Sequence, residues 1–152
     1  HARYRREEIL AALDWASWKR SARGHATGVV WAPATRTDAL LVNIRKSEAE
    51  FSPSTMYRDY AISPDLFHWE SQNATRVDSV TGQRYLNHEA QGTHVLLFAR
   101  ESPSDDLGVM PFLCLGTATY IEHRGERPIA ITWRLNRSMP GEVFHAASVV
   151  AR

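Results

Sequence analysis

Lysine is nearly missing from this chain of 152 residues: among its 18 basic side chains only Lys19 and Lys46 are lysines, set against 17 acidic residues for a net charge of +1. The near-balance argues against simple coating of an anionic polymer, which normally shows as an excess of positive charge. Cysteine occurs once. Cys114 allows no internal disulfide and, lying between Leu113 and Leu115, reads as a buried reduced thiol that implies no oxidising compartment. Long apolar runs are missing too: Ala39 to Val42 and Val95 to Ala99 fall far short of the roughly 20 residues a bilayer demands. The opening His1-Ala2-Arg3-Tyr4 lacks the apolar stretch of a signal peptide. A cytoplasmic location without a membrane partner is the expectation. No repeat, low-complexity segment or linker divides the chain, so residues 1–152 read as a single domain.

What is present is a globular composition, 43% hydrophobic and 23% charged, long enough to bury roughly two thirds of its unfolded surface. The arginine skew admits two readings. Arginine's planar fork suits bidentate contacts to phosphates and guanine edges, and a GC-rich genome also writes arginine wherever a surface needs a cation.

The segment Arg5 to Arg20 predicts a helix with Ile9, Leu10, Leu13 and Trp18 on one stripe and Gly24 as its stop. Gly28 to Trp31 and Asp38 to Arg45 predict an antiparallel hairpin. Phe51 to Tyr60 reads as an ordered loop, Leu66 to Gln72 as a strand, Asn73 to Val80 as a loop, and Thr81 as the cap of a short helix ending near Gly92. Strands follow at His94 to Arg100, Phe112 to Ile121 and Ile129 to Leu135, and Pro140 opens a C-terminal helix. The pattern is α+β: a curved, mostly antiparallel sheet or small β-barrel, a PUA-like one included, with an N-terminal and a C-terminal helix.

The densest chemistry runs from Ser63 to Asn73 and on through Thr81 to Tyr85. It mixes stacking surfaces (Phe67, Trp69, Tyr85), amides (Gln72, Asn73, Gln83) and Arg84. On a strand, His68, Glu70 and Gln72 share one side while Phe67, Trp69 and Ser71 take the other. The functional reading is a groove for a planar ligand such as a nucleobase, held by stacking and read by amides and arginines. The structural reading is an ordinary amphipathic strand with capped loops. A second concentration comprises His123, Arg124, Arg127, Trp133, Arg134 and Arg137. Alternation turns Trp133 inward with Ile129, Ile131 and Leu135, leaving Arg134 outside beside Thr132. The Ser52-Pro53-Ser54-Thr55 stretch offers hydroxyls to a phosphate, flanked by Tyr57, Arg58 and Tyr60.

Phe51 to Ser63, then Phe67 to Asn73, Gly82-Gln83-Arg84-Tyr85, and Ile131-Thr132-Trp133-Arg134-Leu135 resemble the blocks of the DUF3427 domain, and Tyr4 to Leu13 is similar to its leading helix. The resemblance covers nearly the whole chain. It implies an accessory module of a larger protein, since such domains accompany bacterial superfamily II helicases and phospholipase-D-type nucleases in restriction and defence. It supplies no catalytic residues. The chain itself carries no Walker A, HxK, HExxH, HNH or GxSxG pattern, and His68, Glu70, His88, Glu89 and His94 lack metal-site spacing.

The resulting expectation is a non-enzymatic module without cofactor or metal that recognises double-stranded DNA, plain or modified in base or phosphorothioate backbone, for a helicase or nuclease of the same protein or complex. Arg58, Arg84, Arg134, Gln72, Asn73, Gln83, Ser52 and Ser54 are its candidate nucleic-acid contacts, and Phe67, Trp69, Tyr85, Tyr57 and Trp31 its candidate pocket walls. The alternative is a protein-interaction module that docks on a helicase motor and never touches DNA.

Overall fold

Apolar side chains at every second position decide the architecture. Ile129, Ile131, Trp133 and Leu135 are all buried, and the residues between them, Ala130, Thr132 and Arg134, are partly or fully accessible. The same alternation holds for Ala61, Phe67 and Trp69. Such strands must pair, and they bury one side together.

The computed structural model describes residues 2–14, 28–44, 59–102, 104–106 and 108–150. Ten strands appear among them: β1 (Arg3–Tyr4), β2 (Val29–Ala32), β3 (Thr37–Asn43), β4 (Tyr60–Ser63), β5 (Leu66–Glu70), β6 (His94–Arg100), β7 (Ser104–Asp105), β8 (Gly108–Val109), β9 (Phe112–Arg124) and β10 (Ala130–Leu135). The helices are α1 (Arg6–Ala12), α2 (Val80–Leu86), α3 (His88–Gln91) and α4 (Gly141–Val150). Eight strands form one open sheet in the order β2-β3-β6-β9-β10-β5-β4, with β1 added alongside β9, while β7 and β8 make a separate ribbon. The expected α+β class with a curved sheet holds, and the closed-barrel version does not. All pairings are antiparallel except β3 with β6.

Helix α1 starts where the Glu8 carboxylate accepts from the Arg5 backbone N–H at 2.9 Å, with Glu7 and Glu8 in the first turn facing the helix dipole favourably. It ends far short of the expected Arg20, because Asp14 takes a left-handed φ of 58°. Trp18 and Gly24 lie outside the described residues. The β2–β3 hairpin forms as expected, and Arg36, with φ 52°, makes its turn. Helix α2 is capped by Ser79 rather than Thr81: the Ser79 hydroxyl accepts from the Gly82 N–H at 3.0 Å and donates to the Arg76 carbonyl at 2.6 Å. Gly92 ends α3 at φ 69°.

β9 runs to Arg124, past the expected end at Ile121. Two register shifts let it do so. Opposite β6 the shift falls between Leu97 and Phe98, so that Leu115 is the extra residue, and Gly116 takes φ 89° there. Opposite β10 the extra residue is Ile121. Each bulge resets the alternation, keeping Leu113, Leu115, Ala118 and Tyr120 on the core side.

The core lies on both sides of the sheet but unequally. One cluster covers an entire side, drawing on β3, β5, β6, β9 and β10 and on Tyr85, Met139 and Ala147. The other is confined to β2, β3, β6 and β9 beneath Ile9 and Leu10 of α1 and its C-cap residue Leu13. Cys114 belongs to the rim of this smaller cluster and is half-buried, which corrects its expected burial. Leu113 and Leu115 point into the larger cluster, so the residue between them faces the other way.

A Cβ on Gly82 would meet the Arg76 carbonyl oxygen at 2.1 Å. Gly82→Ala is therefore expected to destabilise the fold by about 1–3 kcal/mol, measured as a drop in the urea midpoint at unchanged slope.

Candidate nucleic-acid interface

Burial gathers several of the predicted site residues and then spends them on one another. Phe67 and Tyr85 are 0% exposed and Trp69 3%, and Trp69 meets Tyr85 edge-on with ring centroids 5.3 Å apart. These rings are core, which corrects their assignment as walls for a stacked ligand. The Tyr85 hydroxyl donates to Gln72 Oε1 at 3.1 Å, and the Thr75 hydroxyl donates to the same oxygen at 3.1 Å. Burial, followed by the nearby Asp38 charge, pushes the Tyr85 phenol well above its ordinary range, so it remains a donor.

Arg84 is likewise committed. Its Nε donates to Asp38 Oδ2 at 2.7 Å and its Nη2 to Oδ1 at 2.9 Å, a bidentate fork around a carboxylate that is 0% exposed. The guanidinium lies 4.2 Å from the Trp31 ring centroid. Trp31 thus contributes a half-buried face already taken by a cation, and Arg84 is no phosphate contact. Burial raises the Asp38 carboxyl while the Arg84 fork pulls it down. Gln83 Nε2 donates to the Val77 carbonyl at 2.8 Å. Asn73 and Gln72 are exposed on the loop beyond β5. Ser52, Ser54, Tyr57 and Arg58 lie outside the described residues.

Where the β2–β3 hairpin nears the end of β5, Gly28, Val29, Asn43, Asp59, Trp69 and Gln72 line a cleft of about 240 Å³. Its charged side chains are Asp59 and Glu70, so among the described residues it offers a phosphate no cation.

The opposite side of β4, β5, β10 and the distal part of β9 is different. Neither core cluster includes a residue from this side of β10, β5 or β4. Tyr60, His68, Thr132 and Glu122 align across four strands, and Tyr60 stacks on His68 with centroids 4.5 Å apart and planes at 15°. One step along, Glu70, Ala130 and Arg124 align. In the other direction Arg134 stands exposed between Leu66 and Thr119. Because Ala130 and Thr132 are small, the middle of this side sinks into a depression of about 230 Å³ bounded by Tyr60, Ile62, His68, Glu122 and Arg124.

Two loops frame one end. Ser71 and Ile129 bond reciprocally, Ser71 N to Ile129 O at 3.0 Å and Ile129 N to Ser71 Oγ at 2.8 Å. Arg127 N donates to Thr75 O at 2.9 Å, and Val77 N to Glu126 Oε2 at 3.0 Å. This clamp carries exposed Arg76 and Arg127 beside Gln72 and Asn73. Arg76 pairs with Asp78 at 3.2 Å in an exposed contact of small worth. Among the described residues Arg124, Arg127 and Arg134 have no ion-pair partner. Arg124, Arg127 and Arg134 were legible in sequence as a cluster. Tyr60 was named only as a flank of the serine stretch, and its stack on His68 carried no sequence signal, since it depends on the β4–β5 register.

The histidines and acids between His68 and His94 are dispersed in role. His88 is 5% exposed, and its Nε2 accepts from the Tyr120 N–H at 3.1 Å, while His94 and Glu89 are exposed. Among the described residues no three His, Cys, Asp or Glu side chains converge as metal ligands, and no helix is long and apolar enough to cross a membrane.

Residues 1–147 match the family model described as a domain of unknown function, DUF3427. No curated protein matches the chain.

Removing one partner of the Asp38–Arg84 pair leaves the other charge buried. Arg84→Met should cost about 3–5 kcal/mol, and an Asp38→Asn/Arg84→Met double variant should recover a substantial part of it; additive losses in chemical denaturation would refute the coupling. The raised Tyr85 phenol means the folded state holds this proton more tightly than the unfolded chain. Its stability contribution is complete below the unfolded value of about 10 and is lost as pH climbs through the higher folded value. Tyr85→Phe should therefore flatten the alkaline fall in melting temperature.

Proposed function

Since the chain belongs to the DUF3427 family, we propose that it is a DNA-recognition module whose contact surface is the uncovered side of β4, β5, β10 and β9, and that it gives target choice to a helicase or nuclease acting with it. The observation that carries this reading is Arg124 at a depression floored by Ala130 and Thr132, with Arg134 further along the same side of β10, both exposed and without ion-pair partners among the described residues. Guanidinium groups so placed meet phosphates, and the framing loop adds Gln72 Nε2, its Oε1 being held by Tyr85 and Thr75, and the exposed Asn73 for base edges. Glu70 and Glu122 on the same side hold its overall charge down. Affinity for arbitrary DNA is then weak, and specific contacts decide.

Of the two modifications, the geometry favours one in the backbone. Phe67, Trp69 and Tyr85 are sealed, leaving no ring-lined hollow of their making for an extruded base. The depression instead puts the Ala130 methyl beside Arg124 and includes the 48% exposed Ile62 in the same lining. An apolar wall next to a cation suits a phosphorothioate, whose sulfur is less strongly hydrated than oxygen. Docking on a motor without DNA contact calls for a contiguous apolar patch. The exposed large hydrophobics Ile62, Val80, Val109 and Ile121 sit on four different elements.

Gel-shift titration against plain, cytosine-modified and phosphorothioate duplexes at two salt concentrations tests the reading. The phosphorothioate duplex should bind most tightly. Arg124→Ala and Arg134→Ala should each weaken binding and lower the slope of log affinity against log salt by about 0.9. Ile62→Asp should erase the preference for sulfur. Equal, negligible binding to all three duplexes removes the proposal.

A further inference from the structure

β9 outlasts its neighbour on one side. It lies between β6 and β10, and β6 pairs with it only over residues 113–118, while β10 follows it over residues 118–124. Beyond Ala118 the edge that faced β6 is first closed by α3, where His88 Nε2 accepts the Tyr120 N–H at 3.1 Å. After that it is open. Ile121 is 40% exposed, and Glu122, His123 and Arg124 are exposed with it. Among the described residues no hydrogen bond reaches the backbone of residues 121–124 from that edge. An unpaired edge is a template for another strand.

Once the Ile121 bulge is passed, the alternation is regular. Glu122 lies opposite Thr132 and Arg124 opposite Ala130, and both line the depression on the uncovered side. His123 lies opposite Ile131 and shares a hydrogen bond of 2.7 Å with the Tyr120 hydroxyl. An acid and a base thus project to one side from alternate positions of the open edge. A second copy added antiparallel must oppose residues that project to the same side of the common sheet. The registers allowed by symmetry set Glu122 against Glu122, Arg124 against Arg124, or His123 against His123. The first two bring like charges together. The third sets Glu122 of each copy against Arg124 of the other, about 5 Å apart between Cβ atoms, closer than the roughly 7 Å between these residues along one strand. Shifts further along meet His88 at one end and the Gly125 turn, with φ 65°, at the other.

We propose that residues 121–124 form a self-association site, where a second copy of this chain pairs antiparallel through β9 with His123 at the two-fold axis and two reciprocal Glu122–Arg124 pairs. The contact is closed by its own symmetry, so association stops at two copies. Exposed ion pairs are weak. The edge hydrogen bonds hold the contact, and the charges fix its register. The inference stands apart from the DNA reading. Because Arg124 belongs to both surfaces, the test omits DNA and reads mass.

Sedimentation equilibrium of the purified chain should show a reversible monomer–dimer equilibrium at concentrations up to about 1 mM. Glu122→Arg sets arginine against arginine, and Arg124→Glu sets glutamate against glutamate. Each should weaken self-association at least about tenfold, since symmetry counts every pair twice. The double variant Glu122→Arg/Arg124→Glu should recover it. An equimolar mixture of the two single variants should form a heterodimer, one copy supplying both cations and the other both anions, and this recovery also establishes that both variants are folded. A chain that stays monomeric throughout, single variants that dimerise as tightly as the parent, or a mixture that associates no better than its components would each overturn the proposal, whatever the outcome of the gel shifts.

Discussion

A carboxylate with no accessible surface, Asp38 on β3, constrains the chain around it. Such a group must be matched by a cation with two donors in the right plane, and the fold brings Arg84 across from α2 to do so. The rest of that corner is fixed by the match. The guanidinium lies over the Trp31 ring, which ties the first hairpin to α2. Tyr85, next in the chain, turns into the core against Trp69, and its hydroxyl orients the Gln72 side chain. Trp31, Trp69, Gln72, Arg84 and Tyr85 do converge, but as a polar and aromatic joint between helix and sheet.

The unequal covering of the sheet gives the molecule its other side. The larger cluster spans nearly every strand, whereas α1 covers only the part built from β2, β3, β6 and β9. Beyond that part the strands keep their alternation, yet the outward residues are largely polar, Tyr60, His68, Glu70, Thr132 and Arg134, with Ile62, Leu66 and Ala130 among them. This sheet side carries arginines without ion-pair partners among the described residues and sinks where alanine and threonine replace larger residues, and the proposed DNA contact rests on it.

Much of this was readable from residue order. The two-residue rhythm of Phe67 to Ser71 and of Ile129 to Leu135 assigned inner and outer sides correctly, placed Trp133 in the core and left Arg134 exposed. The hairpin of β2 and β3 and the stop at Gly92 followed from turn chemistry. What could not be read depends on partners remote in sequence. Arg84 looks like a phosphate ligand until Asp38, 46 residues away, is seen to hold it. The bulges at Leu115 and Ile121 carry no advance sign except Gly116, and without them β9 ends too early. Ser79 rather than Thr81 is the cap because its hydroxyl bridges the Gly82 N–H and the Arg76 carbonyl, a geometry the residue order does not announce. Cys114 was taken for core because both its neighbours are leucines, the very alternation that turns it away from them.

The parallel pairing of β3 with β6 has a kinetic corollary. Thr37 lies beside His94 and Asn43 beside Arg100, so this seam closes only after the intervening β4–β5 hairpin and the two short helices have been accommodated. The β2–β3 hairpin and the β6–β9–β10 meander each rest on nearer contacts. Loop-closure entropy is therefore spent before the central seam returns any stabilisation. Assembly should be governed by the meeting of two preformed halves along β3 and β6, and a nascent chain that has not yet released β6 would carry the apolar edge of β3 unpaired.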